Sequence, residues 1–162
     1  MQSNIRFYEH ALSESECNEL IRYLYKTSIL TDLDYNKLKR TRALEHDIVK
    51  KLSKKYDIDF DRAFIMKYNA NIGSPTHTDN YSIENNQEVF NSWKYSGIVF
   101  LNQDFEGGEL VYPDQGITIK PITGNMLIAP ADEGAPHFVT PPSSDRYVLV
   151  LRIIWHSRIN NV

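Results

Sequence analysis

Two hydrophobic periods divide the chain. In its first third, Cys17, Leu20, Ile21 and Leu24 fall at i, i+3, i+4 and i+7, which gives a helix one apolar face. Ser13 with Glu16 three residues on forms a capping box that opens this helix. A short run at 5–8 ahead of it reads as a strand, and Leu44, Ile48 and Leu52 predict a second helix. From residue 61 the period shortens to two. Phe64, Met66 and Tyr68 share one face of 63–69, and further strands are expected around His77 and at 93–101, 109–112, 117–120, 125–129, 136–140 and 146–155. Gly107-Gly108, Pro113-Asp114-Gln115-Gly116 and Thr123-Gly124-Asn125 supply the turns. Residues 80–91 interrupt the series; they are polar and predict a mobile loop next to the His77 strand.

About eight short strands at these intervals predict a mainly β protein of two antiparallel sheets, a jelly roll, with flanking helices outside one sheet. The 162 residues fit a single domain, with 1–60 mostly helical support and 61–162 the jelly-roll core. Composition changes this picture little: 41% apolar and 24% charged residues describe an ordinary globular chain. A net charge of −3 with a pI of about 5.9 offers no global basic field, so nucleic acid is an unlikely partner. Residues 1–6 lack the apolar run of a signal peptide, and no stretch is long enough to span a bilayer. The lone Cys17 excludes an internal disulfide, suits a reducing compartment and sits on an apolar face as a core residue. A cytoplasmic location is the expectation.

Charge is uneven along the chain. Lys37, Lys39, Arg40, Arg42, Lys50, Lys51, Lys54 and Lys55 are eight of its 18 cationic residues. They predict a solvated face, with a patch for nucleic acid or an acidic partner as the alternative. His46 has no partner at ligand spacing and reads as a surface residue; Trp155 and His156 read as packing or surface residues.

The candidate chemistry starts at His77 and Asp79. Gly73 and Pro75 argue against a helix here, and side chains two apart on an extended strand share a face. An imidazole and a carboxylate can therefore meet at one point. His137 follows 58 residues after Asp79 on another strand. Two histidines and one carboxylate form the facial triad of non-haem Fe(II) sites, which leaves adjacent coordination positions open. Nine residues past His137, Arg146 opens an apolar strand. A buried arginine needs an anion, either a cross-strand carboxylate or the carboxylate of a bound molecule held bidentately. Singly, His137 is equally a satisfied core histidine; order and spacing together favour a site.

His77-Thr78-Asp79, His137 and Arg146 together resemble the signature of the prolyl 4-hydroxylase-like dioxygenases, which use Fe(II) and 2-oxoglutarate. The likeness extends to 12–17, to 98–102 with Glu106-Gly107-Gly108-Glu109-Leu110, and to 121–128, so it covers most of the chain. It implies a double-stranded β-helix, the cupin-like form of the jelly roll. It implies that His77, Asp79 and His137 hold Fe(II), that Arg146 anchors 2-oxoglutarate with Tyr68 as helper, and that O2 is the other cosubstrate. Ascorbate is implied as reductant. The retained Asp79 points to hydroxylation, because halogenating relatives lack this carboxylate. Phe100 stands where several members have a tyrosine on 2-oxoglutarate. Arg152, six residues past Arg146, resembles the second arginine of alkylation-repair dioxygenases and is a further candidate for the cosubstrate, with a structural ion pair as alternative. Val148 and Val150 are expected to line a dry pocket; residues 80–91 read equally as a substrate lid or as an ordinary solvated loop, with Trp93 as a candidate platform beside them. The implied reaction hydroxylates a prolyl or other residue of a peptide or protein, with release of succinate and CO2. Alternatives are oxygenation of a free amino acid or other small molecule, nucleic-acid demethylation, and a binding module without turnover.

Overall fold

The computed structural model describes residues 4–27 and 40–156, with two helices and twelve strands among them. In chain order they are β1 (Arg6–Tyr8), α1 (Glu14–Thr27), β2 (Arg40–Arg42), α2 (Asp47–Tyr56), β3 (Ile58–Tyr68), β4 (Ser74–His77), β5 (Tyr81–Glu84) and β6 (Gln87–Phe90). There follow β7 (Tyr95–Phe100), β8 (Leu110–Tyr112), β9 (Ile117–Ile119), β10 (Met126–Pro130), β11 (His137–Val139) and β12 (Arg146–His156).

The capping box forms as the sequence predicts. The Glu16 N–H donates to the Ser13 hydroxyl at 3.1 Å, and the Ser13 N–H donates to the Glu16 carboxylate at 3.0 Å. Helix α2 begins differently from expectation. His46 is its N-cap, its Nδ1 accepting from the Ile48 N–H at 3.2 Å, with its ring edge-on to Tyr23. It is a half-buried structural residue rather than a free surface one.

One sheet has six strands in the order β1-β10-β7-β12-β3-β2, and a second has four in the order β4-β11-β8-β9. Both faces of the six-stranded sheet are covered. Ala63, Ile65, Val99, Leu149, Leu151 and Ile153 pack towards α1 and α2, together with Cys17, Leu20, Leu24, Ile48 and Leu52. Phe64, Phe100, Val148 and Val150 point the other way, into a second core shared with the four-stranded sheet. Strand β12 is apolar without alternation because it is central and buried on both sides.

Two expectations change. Strand β1, expected at 5–8, and β2, which was not expected, form the two edges of the large sheet, so the first 60 residues supply more strand than the helical support foreseen. Residues 81–90 are a β-hairpin rather than an irregular loop, with Tyr81 opposite Phe90 and Glu84 opposite Gln87. Asn85 and Asn86 both adopt positive φ, 51° and 63°, the two-residue turn that matches strand twist. Asparagine tolerates that conformation, so polarity here marked a tight turn. Of the basic run, Lys37 and Lys39 lie outside the described residues.

Candidate metal centre

Pairing between the two short strands β4 and β11 builds the centre. His77 lies directly opposite His137 in the ladder, with an irregularity before Val139, so the two rings sit side by side at 4.5 Å between centroids. Gly73 permits this approach: a Cβ there would stand 2.2 Å from the Val139 carbonyl oxygen. Each histidine is oriented in the same way. The Nδ1 atoms of His77 and His137 lie 2.8 and 3.0 Å from the carbonyls of Pro75 and Ala135, two residues upstream. With Nδ1–H donating to a carbonyl, each Nε2 is left with its lone pair available for a metal.

Asp79 completes the set from a turn rather than from the strand, which ends at His77. Backbone bonds fix that turn: the Asn80 N–H donates to the Ala131 carbonyl at 2.9 Å, and the Asn80 carbonyl accepts from Asn91 at 2.7 Å. The Asp79 carboxylate reaches both imidazoles, Oδ1 to His77 Nε2 and Oδ2 to His137 Nε2, each at 3.7 Å. One donor atom from each of the three residues lies within 4.8 Å of the others. Burial alone would raise the Asp79 carboxyl, but Arg152 foremost, then His137, His77 and Ser96, hold it below the usual carboxylate range. Burial foremost lowers His137, against the pull of Asp79. A carboxylate and two neutral imidazoles are the protonation states a divalent metal needs.

Arg146 is fully buried, as the sequence reading expects, and among the described residues no carboxylate lies within 4.0 Å of it to make the cross-strand pair that was the alternative. Its Nε–H donates to the Gly108 carbonyl at 3.1 Å, while Nη1 and Nη2 have no hydrogen-bond partner among the described residues. Its guanidinium lies 5.1 Å from the Tyr68 ring and 5.7 Å from that of Phe100. Burial pushes it down to about 10, so it is cationic at neutral pH. Tyr68 is opposite Arg146 in the β3–β12 register, and burial raises its hydroxyl while Arg146 pulls it back. A buried cation with two unused N–H forks fits one carboxylate end of 2-oxoglutarate, and the His-Asp-His set fits Fe(II).

Arg152 is placed otherwise than a second cosubstrate anchor would be. Its Nη2 pairs with Asp79 Oδ1 at 3.1 Å and its Nη1 donates to Ser96 Oγ at 2.8 Å. A guanidinium already answered by the metal-ligand carboxylate steadies that carboxylate; the structural alternative describes it. Tyr112 and Arg62 escaped the sequence reading, and Arg40 entered it only as part of the basic run. Tyr112 lays its ring 5.0 Å from His137, and Arg40 and Arg62 line the same cavity of about 320 Å³ as His77, Asp79, His137, Tyr68, Trp93 and Val150. Arg62 had a signal, since it continues the Phe64, Met66, Tyr68 face two residues earlier; Tyr112 had none.

The two packed sheets with this centre between them define a double-stranded β-helix of the iron-dependent oxygenase kind. A family model described as 2OG-Fe(II) oxygenase superfamily matches residues 63–153, and the chain belongs to that superfamily of enzymes. No curated protein matches it significantly in sequence. Among solved structures, the 2OG complex of a viral collagen prolyl hydroxylase from Paramecium Bursaria Chlorella virus-1 is similar with a TM-score of 0.75 at 19% identity, over 94% of this chain and 96% of that one. A Pseudomonas putida prolyl-4-hydroxylase gives 0.66 at 13% identity, over 94% and 92%. A Trichoplax adhaerens prolyl hydroxylase in complex with a hypoxia inducible factor peptide fragment gives 0.67 at 15%, over 98% and 86%. At these identities the likeness is one of fold.

Proposed function

We propose that the protein hydroxylates a prolyl or other residue of a peptide or protein, using Fe(II), 2-oxoglutarate and O2 and releasing succinate and CO2. The observation that carries this reading is Arg146, a fully buried cation beside Tyr68 with two nitrogens unpartnered among the described residues. His77, Asp79 and His137 would hold the metal, Arg146 with Tyr68 one carboxylate of the cosubstrate, and Arg152 the orientation of Asp79. When bound, the metal would activate O2, the oxidant, with two electrons coming from 2-oxoglutarate as it loses CO2 and two from the C–H bond that is hydroxylated. The chain's own part is positioning and exclusion of water. Met66, Val148 and Val150 keep water from the space between the arginines. The similar structures named above include one collagen prolyl hydroxylase and one prolyl hydroxylase holding a peptide, which supports a peptide substrate. Ascorbate is the expected reductant, and the buried lone Cys17 supports a reducing, cytoplasmic setting.

Succinate release from 2-oxoglutarate with Fe(II) and ascorbate, screened with peptide pools and with free amino acids, tests the reading. Peptide-stimulated release that vanishes in His77→Ala, Asp79→Ala and His137→Ala, with the fold retained by circular dichroism, is the expected result. Wild-type turnover in any two of these variants refutes the metal assignment, and stimulation by free amino acids alone moves the substrate to small molecules.

A further inference from the structure

The sheet floor under the cavity has two cationic ends. Along the register of β3 with β12, Arg146 faces Tyr68, Val148 faces Met66, Val150 faces Phe64, and Arg152 faces Arg62. One arginine thus closes one end of an apolar strip, and a pair closes the other, roughly 20 Å away along the strand. Under the proposed function Arg146 suffices for the cosubstrate and Arg152 is taken up by Asp79, which leaves Arg62 at the far end unassigned.

That far end is built as a stack. The Arg40 guanidinium lies 3.9 Å from the Phe64 ring centre, Arg152 lies 5.6 Å from Phe64 and 5.5 Å from Trp93, and Arg62 lies 5.0 Å from Trp93. Three guanidinium groups are interleaved with two aromatic rings. Like charges directly opposite in a ladder destabilise it, and Arg62 opposite Arg152 is such a pair. Of the three, only Arg152 is well neutralised, by Asp79. Arg62 has Asp61 at 3.8 Å, and that carboxylate already accepts from Trp93 Nε1 at 2.6 Å. Arg40 has no carboxylate within 4.0 Å among the described residues. Burial, then Arg152, Arg62 and Arg42, act together to weaken its hold on its proton. Both Arg40 and Arg62 line the metal-site cavity.

We infer that Arg40 and Arg62 form an anion subsite for the substrate, an assignment that rests on the proposed function, and that the peptide hydroxylated here carries a carboxylate side chain close to the target residue. Two forks offered over aromatic rings match the planar, bidentate geometry of a carboxylate. A nucleic-acid backbone would need a continuing basic stripe. The lysines of α2 do not extend this one, because α2 packs on the opposite face of the sheet, and Arg42 adds a single further cation beside Arg40 on β2.

The test uses the full chain, immobilised and loaded with Mn(II) and 2-oxoglutarate. It is exposed to three peptide pools of equal length, degenerate except for one position fixed as Glu, Gln or Lys. The Glu pool should be retained about tenfold over the Gln pool, as one charge-assisted pair gives, with the Lys pool weakest. Arg40→Gln and Arg62→Gln should each bring the Glu-to-Gln ratio towards one, and the two Lys variants should keep part of it. Equal retention of Glu and Gln pools, retention of none, or a ratio indifferent to both Gln substitutions overturns the inference. So does a single-stranded oligonucleotide pool retained above the Glu pool, which would point to nucleic acid. The proposed function fails by a separate sign, the absence of thermal stabilisation by Mn(II) and 2-oxoglutarate, whichever pool binds.

Discussion

Arg146 shows how one side chain divides its effect between stability and chemistry. Without an anion it is a buried charge whose only hydrogen bond among the described residues is to the Gly108 carbonyl, an arrangement that works against folding. Arg146→Met should therefore raise the melting temperature of the metal-free, cosubstrate-free protein while abolishing its further rise with 2-oxoglutarate. Arg146→Lys should retain a reduced response, because a point charge replaces a fork. With the cosubstrate present, losing one partner of such a pair costs on the order of 3–5 kcal/mol. A 2-oxoglutarate titration followed by calorimetry measures both. Cys17 gives the pH counterpart. Burial foremost, then Glu16, pushes its thiol from 9.0 up to about 11. A folded value raised above the unfolded one stabilises fully below about pH 9 and is lost as pH climbs towards 11. The urea midpoint should fall over that window more in wild type than in Cys17→Ala, and at pH 8 the native thiol should resist a thiol reagent until the chain unfolds. The metal triad could be read from the sequence because its residue types and spacing are rare together. The partner of Arg152 could not, since the residue that neutralises it, Asp79, lies 73 positions earlier in the chain.

At the scale of elements, the hairpin β5–β6 begins directly after Asp79, and Tyr81, Ser82 and Asn91 reach the cavity. Among the described residues it joins neither large sheet as a strand, and its hinges are the segments at 79–80 and 91–94. A two-stranded ribbon of this kind is marginally stable alone. Replacing 82–89 by a short Gly-Ser link should leave 2-oxoglutarate binding and slow uncoupled succinate release in place while cutting peptide-stimulated release at least about tenfold, as for a lid that excludes water. Full peptide-stimulated activity in that variant removes the lid. The hairpin escaped the sequence reading because its polarity resembled a loop. Periods of two over longer, half-buried segments such as Phe64, Met66 and Tyr68 were legible, since each outward residue differs in kind from its neighbour. Strand β2 was lost in the basic run, where charge hides the pleat.

For the molecule as a whole, metal and cosubstrate held as proposed would together bridge the two sheets. The triad belongs to the four-stranded sheet and its following turn, and Arg146 belongs to the six-stranded one. Ligands that bind only the folded state add about 2.7 kcal/mol at a hundredfold excess over Kd. For a domain of this size that is a rise in Tm of roughly 5–10 °C. Differential scanning fluorimetry should show this rise with Mn(II) and 2-oxoglutarate together, and less than half of it with either alone.

The place of β12 in the large sheet governs when this protein can come into being. It is the last of the described strands in chain order, yet it lies in the middle, between β7 and β3. During synthesis, everything up to residue 145 leaves the ribosome with the centre of the sheet missing. Strands β3 and β7 have no partner in common until β12 arrives, so the sheet stays split between them even though α1 and α2 are already made. The nascent chain should therefore stay open along that seam until β12 emerges, and the sheet that carries Arg146 is completed only then.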